Sequence, residues 1–137
     1  RAQCPADWVH FQGSCYLFVD ENVPWTSALV ICRLVQNADM LQVDSQAEND
    51  FVVSQIKART GIDNVWMGLT DFVRDGTWLT TSDQQPAKYF NWGPGEPDNQ
   101  ITKERGQDCV YVRSDGTWDD ESCDYNVVSH AVACETE

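Results

Sequence analysis

A chain of 137 residues, 42% hydrophobic and 11% aromatic, is about one domain long and too apolar for disorder. Its 22 acids against 9 bases, a net charge of −13, oppose nucleic-acid binding, which needs clustered Lys and Arg. No run approaches the roughly 18 apolar residues of a membrane helix, and no apolar leader opens the chain, so it is either cytosolic or already trimmed.

The opening "CPADWVHFQGSCYLF" alternates apolar and polar residues between Cys4 and Cys15, which predicts a β-hairpin closed by a local disulfide. Six cysteines are present, Cys4, Cys15, Cys32, Cys109, Cys123 and Cys134, with no Cys-x-x-Cys pair. That pattern disfavours structural zinc or a thioredoxin-type centre and predicts three disulfides, hence an oxidising compartment. A mature secreted, extracellular protein or ectodomain is therefore expected. "PWTSALVICRLV" predicts a helix entered at Pro24. In "DSQAENDFVVSQIKART" a second helix is expected, capped by Asp44 or Ser45. Glu48 stands three residues after Ser45, and Gly61 is the stop.

"VWMGL" (65–69) reads as a short apolar strand, after which residues 70–108 show little apolar periodicity until "CVYV" (109–112). A compact domain rarely keeps a connection that long unless it has a purpose of its own. Within it, residues 75–80 and 88–92 have the composition of short strands, and "GTWDDESC" and "HAVACE" add two more. Helices in the first half and strands in the second predict a single α+β domain over 1–137 with an antiparallel sheet. Trp66, Trp92 and Trp118 are assigned to the core, and His130 to a packed strand. There is no internal repeat, linker or Asn-x-Ser/Thr sequon.

Excess acid is ordinarily a solvated face. Here acids crowd into residues 96–108 and again into 115–124, where folding would set like charges together. Calcium would relieve that repulsion. In "WGPGEPDNQ" (92–100), Gly and Pro exclude regular structure while Glu96 and Asp98 flank Pro97.

The chain resembles the C-type lectin-like domain over essentially its whole length. The resemblance is carried in order by "CPADWVHFQGSCYLF", "WTSALVIC", "WMGL", "NWGPGEPDN", "QDCVYV", "GTWDD" and "HAVACE". The six cysteines match the family's long form, which implies the pairs Cys4–Cys15, Cys32–Cys134 and Cys109–Cys123. The family's calcium and sugar site uses a Glu-Pro-Asn or Gln-Pro-Asp triplet, an acid two residues before the next cysteine, and Trp-Asn-Asp. Carried over by position, the primary calcium ligands and sugar-binding residues are Glu96, Asp98, Gln107, Asp119 and Asp120, with a cis bond before Pro97. An accessory calcium is implied at Asp71, Asp75, Asn99 and Asp108, and a structural one at Glu48 and Glu135.

The residue types suit the task. Calcium takes six to eight oxygens, and the primary set supplies four carboxylates and one amide. Positions left open on the ion would take two neighbouring hydroxyls of a hexose; Trp78 and Tyr89 are candidate platforms for its apolar ring face, although tryptophans in this fold are more often core. Three residues depart from the family pattern. Asp98 replaces the asparagine of mannose binders, Gln107 the usual acid, and Asp119 the asparagine of Trp-Asn-Asp. Glu96 tips the preference toward mannose-type diols and Asp98 back toward galactose-type, with mannose-type slightly ahead.

The expected partners are mono- or oligosaccharides on glycoconjugates or microbial surfaces, in a setting such as innate immunity. Homo-oligomers would multiply weak single sites. The rival reading is a sugar-independent module for calcium carbonate, ice or a protein partner. No enzyme is expected: nothing completes a glycosidase pair around Glu96 and Asp98, and no Ser/His/Asp order or His-Glu-x-x-His motif is present.

Overall fold

The computed structural model describes residues 4–74, 76–96, 109–121, 123 and 130–136. Strands β1 (Val9–Phe11) and β2 (Ser14–Val23) form the expected hairpin, with His10 opposite Cys15. The turn between them runs through Gln12 and Gly13, both at positive φ. The Cys4–Cys15 disulfide closes it.

Helix α1 (Trp25–Leu34) starts behind Pro24, whose ring suits a helix entrance. Its buried residues Trp25, Ala28 and Cys32 recur at helical spacing. Strand β3 (Asp39–Met40) follows, too short for a period-two signal to announce it. Helix α2 (Gln46–Ala58) is capped by Ser45, not Asp44: the Ser45 hydroxyl accepts from the Glu48 amide at 3.1 Å. Such a cap contributes about 1 kcal/mol.

The remaining strands are β4 (Val65–Thr70), β5 (Leu79–Thr80), β6 (Cys109–Val112), β7 (Trp118–Glu121) and β8 (His130–Thr136). Their order in the sheet is β1-β2-β8-β4-β6-β7, with β3 on β8 and β5 on β4. The pairs are antiparallel except β4 with β8, which run parallel at Val65 and Ala131. The sheet is thus mixed rather than antiparallel throughout. A parallel pair needs a long crossover, and the long stretch between these two strands supplies one. The strand expected over 75–80 shrinks to Leu79–Thr80. Residues 88–92 form none, only a bridge from Trp92 to Trp118.

All six residues of β4 are buried, so this strand carries the centre of the core. Trp66 and Trp118 are fully enclosed, and Trp92 is half-buried against Trp118. Cys32–Cys134 ties α1 to β8, and Cys109–Cys123 ties β6 to the segment after β7. Trp118 donates its indole N–H to Asn49 Oδ1 at 2.8 Å, and Asn49 donates to the Gly116 carbonyl at 3.0 Å. Through these two bonds α2 holds the β6–β7 hairpin in place, which matters because that hairpin carries the acids. Among the described residues, no helix is long and apolar enough to cross a membrane.

Candidate functional site

In β7 the period-two alternation buries Trp118 and Asp120 and leaves Asp119 and Glu121 partly exposed. Register places Asp120 opposite Val110 and Asp119 opposite Tyr111. The loop carrying Glu96 is stitched alongside. Trp118 N–H donates to the Asn91 carbonyl, Gly93 N–H to the Trp118 carbonyl and Glu96 N–H to the Gly93 carbonyl, each at 2.9 Å. Gly95 turns this loop at φ +81°, a conformation that costs glycine little.

Glu96, Asp119 and Asp120 therefore converge. One carboxylate oxygen from each lies within 4.8 Å of the others, and Asp120 is fully buried. Three carboxylates this close repel one another strongly at partly buried positions. The donor set is all hard oxygen, the chemistry that suits calcium. Of the primary set expected from sequence, these three come together, while Asp98 and Gln107 lie outside the described residues.

Two residues that sequence reasoning missed complete the cluster. Arg113 donates from Nη2 to Asp119 Oδ2 at 2.7 Å and lies 3.8 Å from Glu96 Oε2. Tyr111 donates its hydroxyl to the same Asp119 oxygen at 3.1 Å. Burial opposes charge on Asp119. A proton held by Glu96 and donated to Asp119, with hydrogen bonds from Arg113 and Tyr111, outweighs it, and the Asp119 carboxyl lies below the usual carboxylate range. Burial pushes the Tyr111 phenol up to about 12, so it remains a donor at neutral pH. The signal that would have found both residues is strand pairing across the β6–β7 hairpin, which sets Tyr111 opposite Asp119. His130 stacks on Tyr111 with ring centroids 4.0 Å apart, a packed position.

At the accessory position only Asp71 is described in full context. It is 2% exposed and its Oδ2 accepts from the Gly76 amide at 3.0 Å. Its Oδ1 is buried with no hydrogen-bond partner among the described residues, a feature a cation would satisfy. Asp75, Asn99 and Asp108 lie outside the described residues.

Glu48 and Glu135 do meet near the start of α2. Glu48 accepts from the Tyr16 hydroxyl and from the Asp44 amide, and Glu135 accepts from the Gln42 amide at 3.0 Å. Glu135 opens on a cleft of about 410 Å³ that Gln42, Asp44, Ser82 and Lys88 also line. Burial, helped by the charges of Glu48 and Asp44, pushes the Glu135 carboxyl up to about 8.

That burial has a pH consequence. In the unfolded chain Glu135 ionises near pH ~4.3, whereas the native state keeps the proton to about 8, so stability falls as pH rises between those values. His130, held down to about 4 by burial, acts in the opposite sense, but only below about pH 6.5. Melting temperatures in chelator from pH 6.5 to 8 are thus expected to decline for the native chain and to stay flat for Glu135→Gln. An equal decline in both would place the carboxylate in solvent.

The Lectin C-type domain family model matches residues 21–136. The chain is 41% identical to asialoglycoprotein receptor 2 of Mus musculus over 123 residues, covering 88% of this chain and 38% of that relative. It spans less than half the length of the curated relatives it matches. Among solved structures, the carbohydrate-recognition domain of mouse scavenger receptor C-type lectin superposes with a TM-score of 0.86 at 29% identity, covering 98% of both chains. The cow carbohydrate-recognition domain of CD23, solved with a GlcNAc2Man3 oligosaccharide, gives 0.83 at 29% identity, covering 98% of this chain and 95% of that one.

Proposed function

The chain belongs to the C-type lectin domain family, and we propose that it is a calcium-dependent carbohydrate-binding domain acting outside the cell. The observation that supports this reading most is the convergence of Glu96, Asp119 and Asp120. With Asp98 and Gln107 they would hold the ion, whose remaining positions accept two vicinal hydroxyls of a hexose. The side chains do the rest of the recognition. Glu96, Asp98 and Asp119 accept hydrogen bonds from the sugar hydroxyls, and the Gln107 amide donates one.

Mannose-type diols are the first choice, on the strength of Glu96, and the oligosaccharide present with the CD23 domain contains mannose. Galactose-type sugars are the second. The ligands would be glycoconjugates or microbial glycans, engaged by several copies of the domain. Accessory calcium at Asp71 and a structural ion at Glu48 and Glu135 belong to the same reading.

Immobilised mannose and galactose test it. Retention is expected in millimolar calcium, with release by chelator and by acid as pH falls toward about 4, because protonated carboxylates cannot hold the metal. Retention indifferent to chelator would overturn the reading. Adsorption to calcium carbonate that free sugar does not displace would favour the mineral-binding alternative instead.

A further inference from the structure

The cation site contains a cation of its own. Arg113 follows the last residue of β6 and is fixed by the hairpin turn rather than left to wander. Its amide donates to the Thr117 carbonyl and its carbonyl accepts from the Gly116 amide, each at 2.8 Å. From there the guanidinium reaches Asp119 Oδ2 at 2.7 Å, with Glu96 Oε2 at 3.8 Å and Thr117 Oγ1 at 3.5 Å from Nη1. Room for it comes from Gly93: a Cβ at that position would stand 2.8 Å from Arg113 Nη1. The loop that delivers Glu96 thus runs close against the guanidinium.

We propose that Arg113 is a built-in counter-ion of the calcium site, pairing with Asp119 and partly offsetting Glu96 while the metal is away and competing with the metal for Asp119. The inference rests on the calcium reading above. Asp119 Oδ2 already takes two donors, Arg113 and Tyr111, so a divalent ion approaching this carboxylate meets a positive group bonded to it. Two effects oppose each other. The guanidinium holds the acids together before binding, and it repels the doubly charged ion after. The Arg113 side chain is one-third exposed, and an ion pair that solvated orders its carboxylate only weakly. Repulsion grows with the product of the charges and is doubled for a divalent ion at the same few ångströms. Repulsion wins. This chain fills its site at a higher calcium concentration than it would without the arginine.

Calorimetric titration of calcium into the whole chain tests this. Arg113→Met and Arg113→Gln, both neutral, are expected to bind calcium about three- to tenfold more tightly. Arg113→Lys should stay near the native affinity, because the charge is retained. Arg33→Met, which deletes a charge from the exposed Arg33–Asp39 pair at the end of α1, should change affinity by less than about twofold, since exposed charges are screened. In chelator the neutral variants should melt below the native chain, and calcium should narrow or reverse that gap. Unchanged or weaker binding by both neutral variants overturns the proposal, as does an equal gain in Arg33→Met. If no variant and not the native chain binds calcium, the reading of the site fails and takes the proposal with it.

Discussion

Asp120→Asn is expected to abolish calcium-dependent sugar retention and to weaken calcium binding by at least about 100-fold, by loss of a carboxylate from the ion's first ligand set. Two features make this the most damaging substitution of the cluster. Asp120 is fully enclosed, so no outside carboxylate or water replaces it. Its place on β7, opposite Val110 and two residues from the buried Trp118, aims it by strand geometry rather than by a mobile loop. Asparagine keeps its shape and exchanges the charge and one acceptor oxygen for an amide donor.

Fold and site separate cleanly in this variant. With metal absent, removing one of three crowded negative charges lowers their mutual repulsion. Asp120→Asn in chelator should therefore melt at or above the temperature of the native chain, and calcium should no longer raise it. Thermal melts with and without calcium, beside a calorimetric titration, read both effects. A variant that still gains stability from calcium at this site would remove Asp120 from the ligand set.

Deleting the Cys32–Cys134 disulfide, as Cys32→Ala with Cys134→Ala, is expected to destabilise the domain by about 4–5 kcal/mol. The two cysteines stand 102 residues apart, so their bond restricts about three quarters of the 137-residue unfolded chain. Cys4 and Cys15 stand 11 apart, and the same chain-entropy estimate gives about 3 kcal/mol for them. Packing widens the difference. Cys32 and Cys134 are fully buried where α1 meets β8, the strand that lies between β2 and β4, so small replacements leave a void there. For a domain of this size the larger loss corresponds to a fall of roughly 10–20 °C in melting temperature. Melts of the two double variants in chelator compare them directly. Equal losses would show that loop length does not govern how these bridges act.

Much of the fold is local enough to read along the chain. Ser45 and Glu48 lie three residues apart, within one turn, and cap the helix they announce. Pro24 opens α1 because its φ is set by its own ring. The site is legible only in part. Glu96, Asp119 and Asp120 follow from their motifs and do meet, yet the parallel pairing of β4 with β8 and the two-residue β3 carry no local signal. Arg113 looks like an ordinary charge beside a turn until the β6–β7 register places it on Asp119.

Determined by the sequence alone, then, are the α+β class, the two helices, the hairpin, the even set of cysteines and which acids are candidates for an ion. Only the tertiary structure decides that Glu135 is buried to the point of holding its proton to about 8, and that a guanidinium already occupies the acids' company. The reason is range. Caps and turns act over three or four residues along the chain, whereas the burial of Glu135 depends on strands brought together from far apart, and the Arg113–Asp119 pair, six residues apart, depends on a hairpin register that no periodicity announces.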